Sequence, residues 1–375
     1  MFDVGPSSVA AGLARFKKSD VPQIIYTVRK TFPLRETVDA KRFFGDMIAA
    51  LKHVNELVLR EAAGLKVSHV AYSLASPWSA VQTKVVSVEK AKPFKLTPKM
   101  LDKILSEQQV AFEKIGLGQS LNLSEKLSAI EKRLVEVRLD GKAVESPFSV
   151  PASKADLSVF LSLAPRMILE EISDAAIKTF HPKDTQVFSF PLVSYSMIRD
   201  LFHEAHDFMS LAVGGEISDI SIVHGGLIAE AASFPLGTHF LVREIAREFS
   251  ASLSEAESIL SVYFKGDGTA PMAKKVEEAL SRAADRWVSA LNEAVAKFAS
   301  AKKDLPNNLF LIIDGAFTEF FLRSLRANAS LDITLVNPEK LREYVVFFPR
   351  AKKDPFLALI AAFVNKSRTL EASGK

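Results

Sequence analysis

Leu211-Ala212-Val213-Gly214-Gly215-Glu216-Ile217-Ser218-Asp219-Ile220-Ser221-Ile222 is the stretch whose reading decides the fold. An apolar run enters a glycine pair, turns through short polar residues and resumes as a second apolar run. This is the pattern of a hairpin turned by backbone rather than side chain. Paired glycines permit positive φ and leave no Cβ in the way of an approaching group. Turns of this kind present backbone N–H groups that can wrap a phosphate. A second glycine turn lies at the start of the chain, in Phe2-Asp3-Val4-Gly5-Pro6-Ser7-Ser8-Val9. Two such hairpins about 200 residues apart point to a two-lobed α/β fold that closes on a nucleotide.

The bulk numbers set the frame. The chain has 375 residues, 48% hydrophobic and 25% charged, enough for two or three domains. Its 48 basic residues nearly balance 44 acidic ones, for a net charge of +4. The basic pairs Lys17-Lys18, Lys302-Lys303 and Lys352-Lys353 are scattered and lack interleaved aromatics, so they read as solvated surface and not as a nucleic-acid patch. There is no cysteine, which excludes disulfides and Cys-ligated metals and fits a reducing cytosol. No apolar run approaches the ~18 residues of a membrane span. The N-terminus lacks signal-peptide character. The expectation is a cytoplasmic protein that reaches a membrane only through a partner.

Along the chain, Phe2–Val4, Val9–Phe16 and Gln23–Val28 read as strands, and Lys41–Ala63 as a helix with apolar residues three and four apart. Val67–Ser73 and Trp78–Val88 read as strands separated by the Pro77 turn. Composition changes near Lys90. From there an α+β insert is expected over residues 90–182, with helices Lys99–Phe112 and Arg166–Thr179. Residues 1–89 and 183–207 then form lobe 1, and 208–375 lobe 2. Ser194–Phe208 is expected to be helical. A helical subdomain is expected at about 236–304, with Ser252 or Ser254 as a cap and a long amphipathic helix Pro271–Ala301. That helix's stripe Val276, Leu280, Ala283, Trp287, Leu291, Val295 and Phe298 reads as core. Strands Leu309–Ile313 and Ile333–Val336 and helices Phe317–Leu325 and Pro355–Asn365 complete the chain. Only Met1 and Phe2 precede Asp3, so the first strand reads as two or three residues short, with a truncated or misassigned start.

In this order the pieces resemble the bacterial actin-like proteins FtsA, of cell division, and PilM, of type IV pilus assembly. Asp3-Val4-Gly5-Pro6-Ser7-Ser8-Val9 is similar to their first phosphate hairpin, and Val213-Gly214-Gly215-Glu216-Ile217-Ser218-Asp219-Ile220 to the second. Ala75-Ser76-Pro77-Trp78 before Gln82-Thr83 is similar to a common segment, as are Pro235-Leu236-Gly237 and Ser254-Glu255-Ala256-Glu257. Asp314-Gly315-Ala316 stands at the adenosine motif, and Asp354-Pro355-Phe356-Leu357-Ala358-Leu359 at a closing segment. The resemblance implies a duplicated ribonuclease H-like, actin-like ATPase fold with an FtsA/PilM-type insert. It implies ATP with Mg²⁺ as cofactor. The residues that would hold it are Asp3, Gly5, Ser7, Ser8, Gly214, Gly215, Glu216, Ser218, Asp219 and Gly315, with Asp3 on the metal through water.

The sequence also departs from that pattern. The acid that opens the second hairpin is Ala212. Ser8, Val9 and Ala10 stand where the first hairpin often carries Lys. Leu260 stands nearest the position of a nucleotide-contacting Lys. The adenosine motif keeps one glycine and is followed by Phe317. From the residues alone, Asp3 serves equally to bond its own turn, Gly214-Gly215 equally as a structural hairpin, and Asp219 equally as surface. The resemblance and its departures imply a degenerate site with at most weak ATPase activity. The implied role is a scaffold or adaptor linking a membrane-associated division or pilus complex, with ATP as a switching ligand, a partner in that complex and scope for self-association. A small-molecule kinase of the same superfamily is the alternative. His203-Glu204-Ala205-His206-Asp207 puts two histidines three apart on an expected helix, but the zinc-protease pattern needs them four apart. They read as surface, and His224 and His239 as structural. No nucleophile elbow or Walker loop is present.

Overall fold

The computed structural model describes residues 1–17, 21–115, 126–298, 305–328 and 331–372. Two sheets form its two lobes. In the first, strands β1 (Phe2–Val4), β2 (Ser8–Arg15), β3 (Gln23–Thr31), β4 (His69–Leu74) and β9 (Asp184–Ser189) lie in the order β3-β2-β1-β4-β9. In the second, β10 (Phe208–Val213), β11 (Ser218–His224), β12 (Leu227–Phe234), β13 (Asn308–Ile313) and β14 (Asp332–Leu335) lie in the order β12-β11-β10-β13-β14. The plan is the same in both. A central strand is antiparallel to its hairpin partner on one side and parallel to the next strand on the other. The central strands are covered on both faces, so β10 is buried at every residue, as sheet centres between layers must be.

Helix α1 (Ala40–Glu61) starts where the Asp39 carboxylate accepts the Arg42 N–H, and it lays Phe43, Met47, Leu51, Val54 and Val58 on the first sheet. A third sheet is inserted between β4 and β9. It comprises β5 (Ala80–Lys95), β8 (Pro151–Pro165), β6 (Leu127–Leu139) and β7 (Lys142–Ala143), in that spatial order. Helix α2 (Pro98–Ile115) packs on it through Ile104, in one cluster with Leu96, Val137, Leu157 and Leu161. The Lys-rich segment expected to open the insert at residue 90 lies inside β5, because Phe94 and Lys95 still pair with Ala152 and Pro151. Helix α3 (Arg166–Phe180), expected within the insert, packs instead in the first lobe. Its Ile168, Ile172 and Ala176 meet Phe2, Val54 and Tyr72.

Helix α4 occupies Phe190–Leu201, not Ser194–Phe208. Pro191 fits the first turn, where its missing N–H has no partner to lose, and the chain leaves the helix at Phe202 to start β10. His203 and His206 therefore lie in the connecting turn and share no helix face. Among the described residues no group of three or more His, Asp or Glu is placed to hold a metal.

Helices α5 (Thr238–Phe249), α6 (Leu253–Lys265) and α7 (Ala270–Ala296) cap the second lobe with α8 (Thr318–Asn328). Ser252 and Glu255 form the capping box of α6. The stripe of α7 is core, with Trp287 fully buried against Phe234 and Phe321. The expected end of α7 at Ala301 lies outside the described residues. Residues after 345 return to the first lobe. Strand β15 (Val346–Phe347) pairs with β3, and helix α9 (Pro355–Ala372) runs to Ala372, past the expected Asn365. Together α4 and α9 fill the seam between the sheets. Val193 and Met197, with Leu359 and Phe363, meet Ile24 and Phe188 of one sheet and Ala212 and Phe310 of the other. No helix among the described residues is long and apolar enough to cross a membrane.

Candidate functional site

Both glycine hairpins form as the sequence implies, and their tips face each other. The first closes through Gly5 N–H to Ser8 O at 3.0 Å and is held from behind by Trp78. The Trp78 indole donates to Gly5 O at 2.7 Å and stacks on Phe43. The second closes through Gly214 N–H to Ile217 O at 3.0 Å. Asp3, Gly5, Ser7, Ser8, Gly214, Gly215 and Asp219 are brought together around one cleft, with Ala212 and Asp314. Asp219 stands directly across the ladder from Ala212. Residues opposite each other in a ladder share a face, so Asp219 places a carboxylate on the face that Ala212 occupies. Burial raises the Asp219 carboxyl to about 6, and its hydrogen bond is the Ser76 N–H at 3.4 Å.

Glu216, Ser218 and Gly315 are not aimed into this space. The Glu216 carboxylate accepts two bonds from Arg243, at 2.7 and 2.8 Å, and meets His239 Nδ1 at 2.8 Å. Burial opposes its charge, but the bonds to His239 and Arg243 outweigh it and hold the carboxyl below its usual range. Ser218 is fully buried and donates to Leu236 O beneath Trp287. Gly315 makes the turn after Asp314 at φ +98, a conformation that favours glycine.

Two residues central to the cleft carry no signal as a pair in the sequence. Arg29, on β3, reaches in beside Asp3. Its Nη2 donates to Asp3 Oδ2 at 3.2 Å and to Asp354 Oδ2 at 2.6 Å, its Nε to Asp354 Oδ2 at 3.2 Å, and its Nη1 to Ser8 Oγ at 2.6 Å. Asp354 caps α9 with its other oxygen, which accepts from the N–H groups of Phe356 and Leu357. An Asp-Pro pair is a legible helix start; that the same Asp also binds Arg29 is not. Burial raises Asp3 to about 6 against the pull of Arg29, with Asp354 and Asp314 adding to the rise.

As arranged, the cleft does not fit Mg²⁺–ATP. Its volume is about 160 Å³, while pockets for ligands of that class run to roughly 300 Å³ and more. The glycines are spent on contact between the hairpins. A Cβ on Gly214 would lie 2.3 Å from Pro6 Cγ, one on Gly215 would lie 2.3 Å from Ser7 Oγ, and the Gly215 N–H donates to Ser7 Oγ at 3.1 Å. At the start of α5, where free N–H groups would suit a phosphate, Thr238 N–H donates to Gly214 O and His239 N–H to Gly215 O. Asp3, assigned to a hydrated metal, faces a guanidinium. After the adenosine motif, Phe317 sits edge-on to Phe264, ring centres 5.6 Å apart. A larger cavity of about 650 Å³ lies at the other end of the same strands, lined by Met1, Gly12, Phe16, Val67, His69 and Arg368, away from the hairpins.

No known family model matches the sequence, and neither does any curated protein sequence. Solved structures do match. A chain of a PilM–PilN type IV pilus biogenesis complex superposes with TM-score 0.65 at 16% identity, covering 97% of this chain and 97% of that one. The ethanolamine utilization protein EutJ from Carboxydothermus hydrogenoformans gives 0.46 at 11% identity, over 97% of this chain and 88% of that one. A Bacteroides thetaiotaomicron protein with an actin-like ATPase fold gives 0.40 at 10%, over 97% and 95%. By the repeated sheet plan and the superposition on the pilus complex chain, this chain has the two-lobed actin-like ATPase fold and resembles PilM in fold over 97% of its length.

Proposed function

We propose that this chain is a scaffold of the PilM kind, an actin-like adaptor that binds the cytoplasmic tail of a membrane protein in a pilus-type assembly. It would sit at the inner face of the membrane through that partner. The observation that carries the reading is the superposition, over 97% of both chains, on a protein solved in a type IV pilus complex. The cleft supports a scaffold over a catalyst. A small-molecule kinase needs Asp3 free to position a hydrated cation, and Asp3 is bonded to Arg29. The adaptor role proposed here does not rest on ATP.

The test is calorimetric titration of the full chain with synthetic peptides of the cytoplasmic tails of the membrane proteins encoded in its gene neighbourhood. Saturable one-to-one binding is expected, retained in Asp219→Asn. Folded protein that binds no tail from any membrane protein of its gene neighbourhood overturns the assignment.

A further inference from the structure

The cleft of an actin-like fold ordinarily closes around something. Here the hairpin glycines and Asp3 are already used by the chain itself, and the lobes meet at two crossings. The hairpin tips are in van der Waals contact through Pro6 on Gly214 and Ser7 on Gly215. A second crossing lies beside them. Arg243, on α5 of lobe 2 and bonded to Glu216 of the second hairpin, donates through Nε to the Arg35 carbonyl of lobe 1 at 2.7 Å. Within lobe 1 the buried charge is met internally. Asp3 and Asp354 are both buried, with the Arg29 guanidinium between them. Two buried carboxylates demand a cation between them. A planar guanidinium bonds both and still reaches Ser8.

We propose that the lobes are latched shut by the protein's own groups at the hairpin tips and at Arg243, while within lobe 1 the Arg29 guanidinium takes the cation's place, so that closure is constitutive and indifferent to nucleotide. A ligand shifts a conformational equilibrium only by its differential affinity for the two states. A cleft whose hairpin tips touch and whose Asp3 is bonded to Arg29 leaves Mg²⁺–ATP no such difference to exploit there. The inference rests on the cleft and not on the pilus reading, and neither test decides the other.

The experiment is calorimetry and amide hydrogen exchange on the full-length protein, with and without millimolar Mg²⁺–ATP. No binding heat is expected, with unchanged protection at Ser7, Gly214, Gly215 and the start of α5. Saturable binding with altered protection at those amides overturns the proposal. Arg29→Met tests the cation separately. It leaves Asp3 and Asp354 facing each other, so its thermal midpoint should fall and should be raised by Mg²⁺ or Mn²⁺ but not by NaCl of equal ionic strength. A folded Arg29→Met protein indifferent to divalent cations refutes the role given to Arg29. If that variant does not fold, the wild-type titration alone decides.

Discussion

Glu131 offers the sharpest test of how the inserted sheet is fixed to lobe 1. It lies on β6, is 6% exposed, and its carboxylate accepts the Ser189 N–H at 2.9 Å, the Ser189 hydroxyl at 2.8 Å and the Ser162 hydroxyl. Ser189 is the N-cap of α4 and makes no side-chain cap bond, so a carboxylate from the insert meets the end of a helix that belongs to the seam between the lobes. In Glu131→Ala, three donors lose their acceptor. Each stranded buried donor costs about 1–3 kcal/mol, and hydroxyls can turn elsewhere while the backbone N–H cannot. The expected loss is about 3 kcal/mol. Glu131→Gln keeps an oxygen for the Ser189 N–H and no longer buries a charge, so it should stay within about 1 kcal/mol of wild type. Burial raises the Glu131 carboxyl above its ordinary value, against the bonds from Ser162 and Ser189. The folded protein thus binds this proton more tightly than the unfolded chain. Stability from this group is full below the unfolded pKa of 4.5 and is lost as pH rises through the folded one. Urea unfolding across this range, with hydrogen exchange at Ser189, measures both effects. Equal damage from Gln and Ala, or no damage from Ala, would refute the reasoning.

Asp219→Asn should flatten the pH dependence of stability. The wild-type contribution is full below 3.8 and lost as pH rises through about 6, up to about 3 kcal/mol at 1.36 kcal/mol per unit; thermal unfolding at pH 4.5 and 7.5 checks it, and parallel curves would count against desolvation of this half-buried carboxylate. Gly237→Ala puts a Cβ 2.3 Å from Gly214 O and 2.5 Å from Gly215 O, backbone atoms that cannot step aside, so a loss of about 2–3 kcal/mol in urea titration is expected. Trp287→Ala empties the centre of the helical subdomain and should cost about 3–5 kcal/mol, read as a lower urea midpoint.

The hairpins show how far the sequence can be read and where it stops. Gly214-Gly215 between two apolar runs announces a tight turn and a close neighbour, because those properties are local to the chain. The neighbour turned out to be Pro6 and Ser7 of the other hairpin, and no local pattern carries that contact. Arg29 sits in Gln-Ile-Ile-Tyr-Thr-Val-Arg-Lys-Thr, an ordinary strand. Its role exists only because Asp354, 325 positions later, caps a helix that crosses back to lobe 1. That Ala212 faces Asp219 is likewise set by the ladder and by no local pattern.

The sequence by itself determined the elements and their order: two glycine hairpins, the apolar stripe of α7, the Asp-Pro start of α9, and thereby the two-lobed fold. These follow from periodicity, turn chemistry and capping, which act over a few residues. The tertiary structure alone decided whether the cleft holds space or contact, which carboxylates meet a cation, and that the chain's last helix joins the lobes. Those depend on the approach of surfaces hundreds of residues apart, where packing and the cost of burying unpaired charge select one arrangement among many compatible with the same local signals.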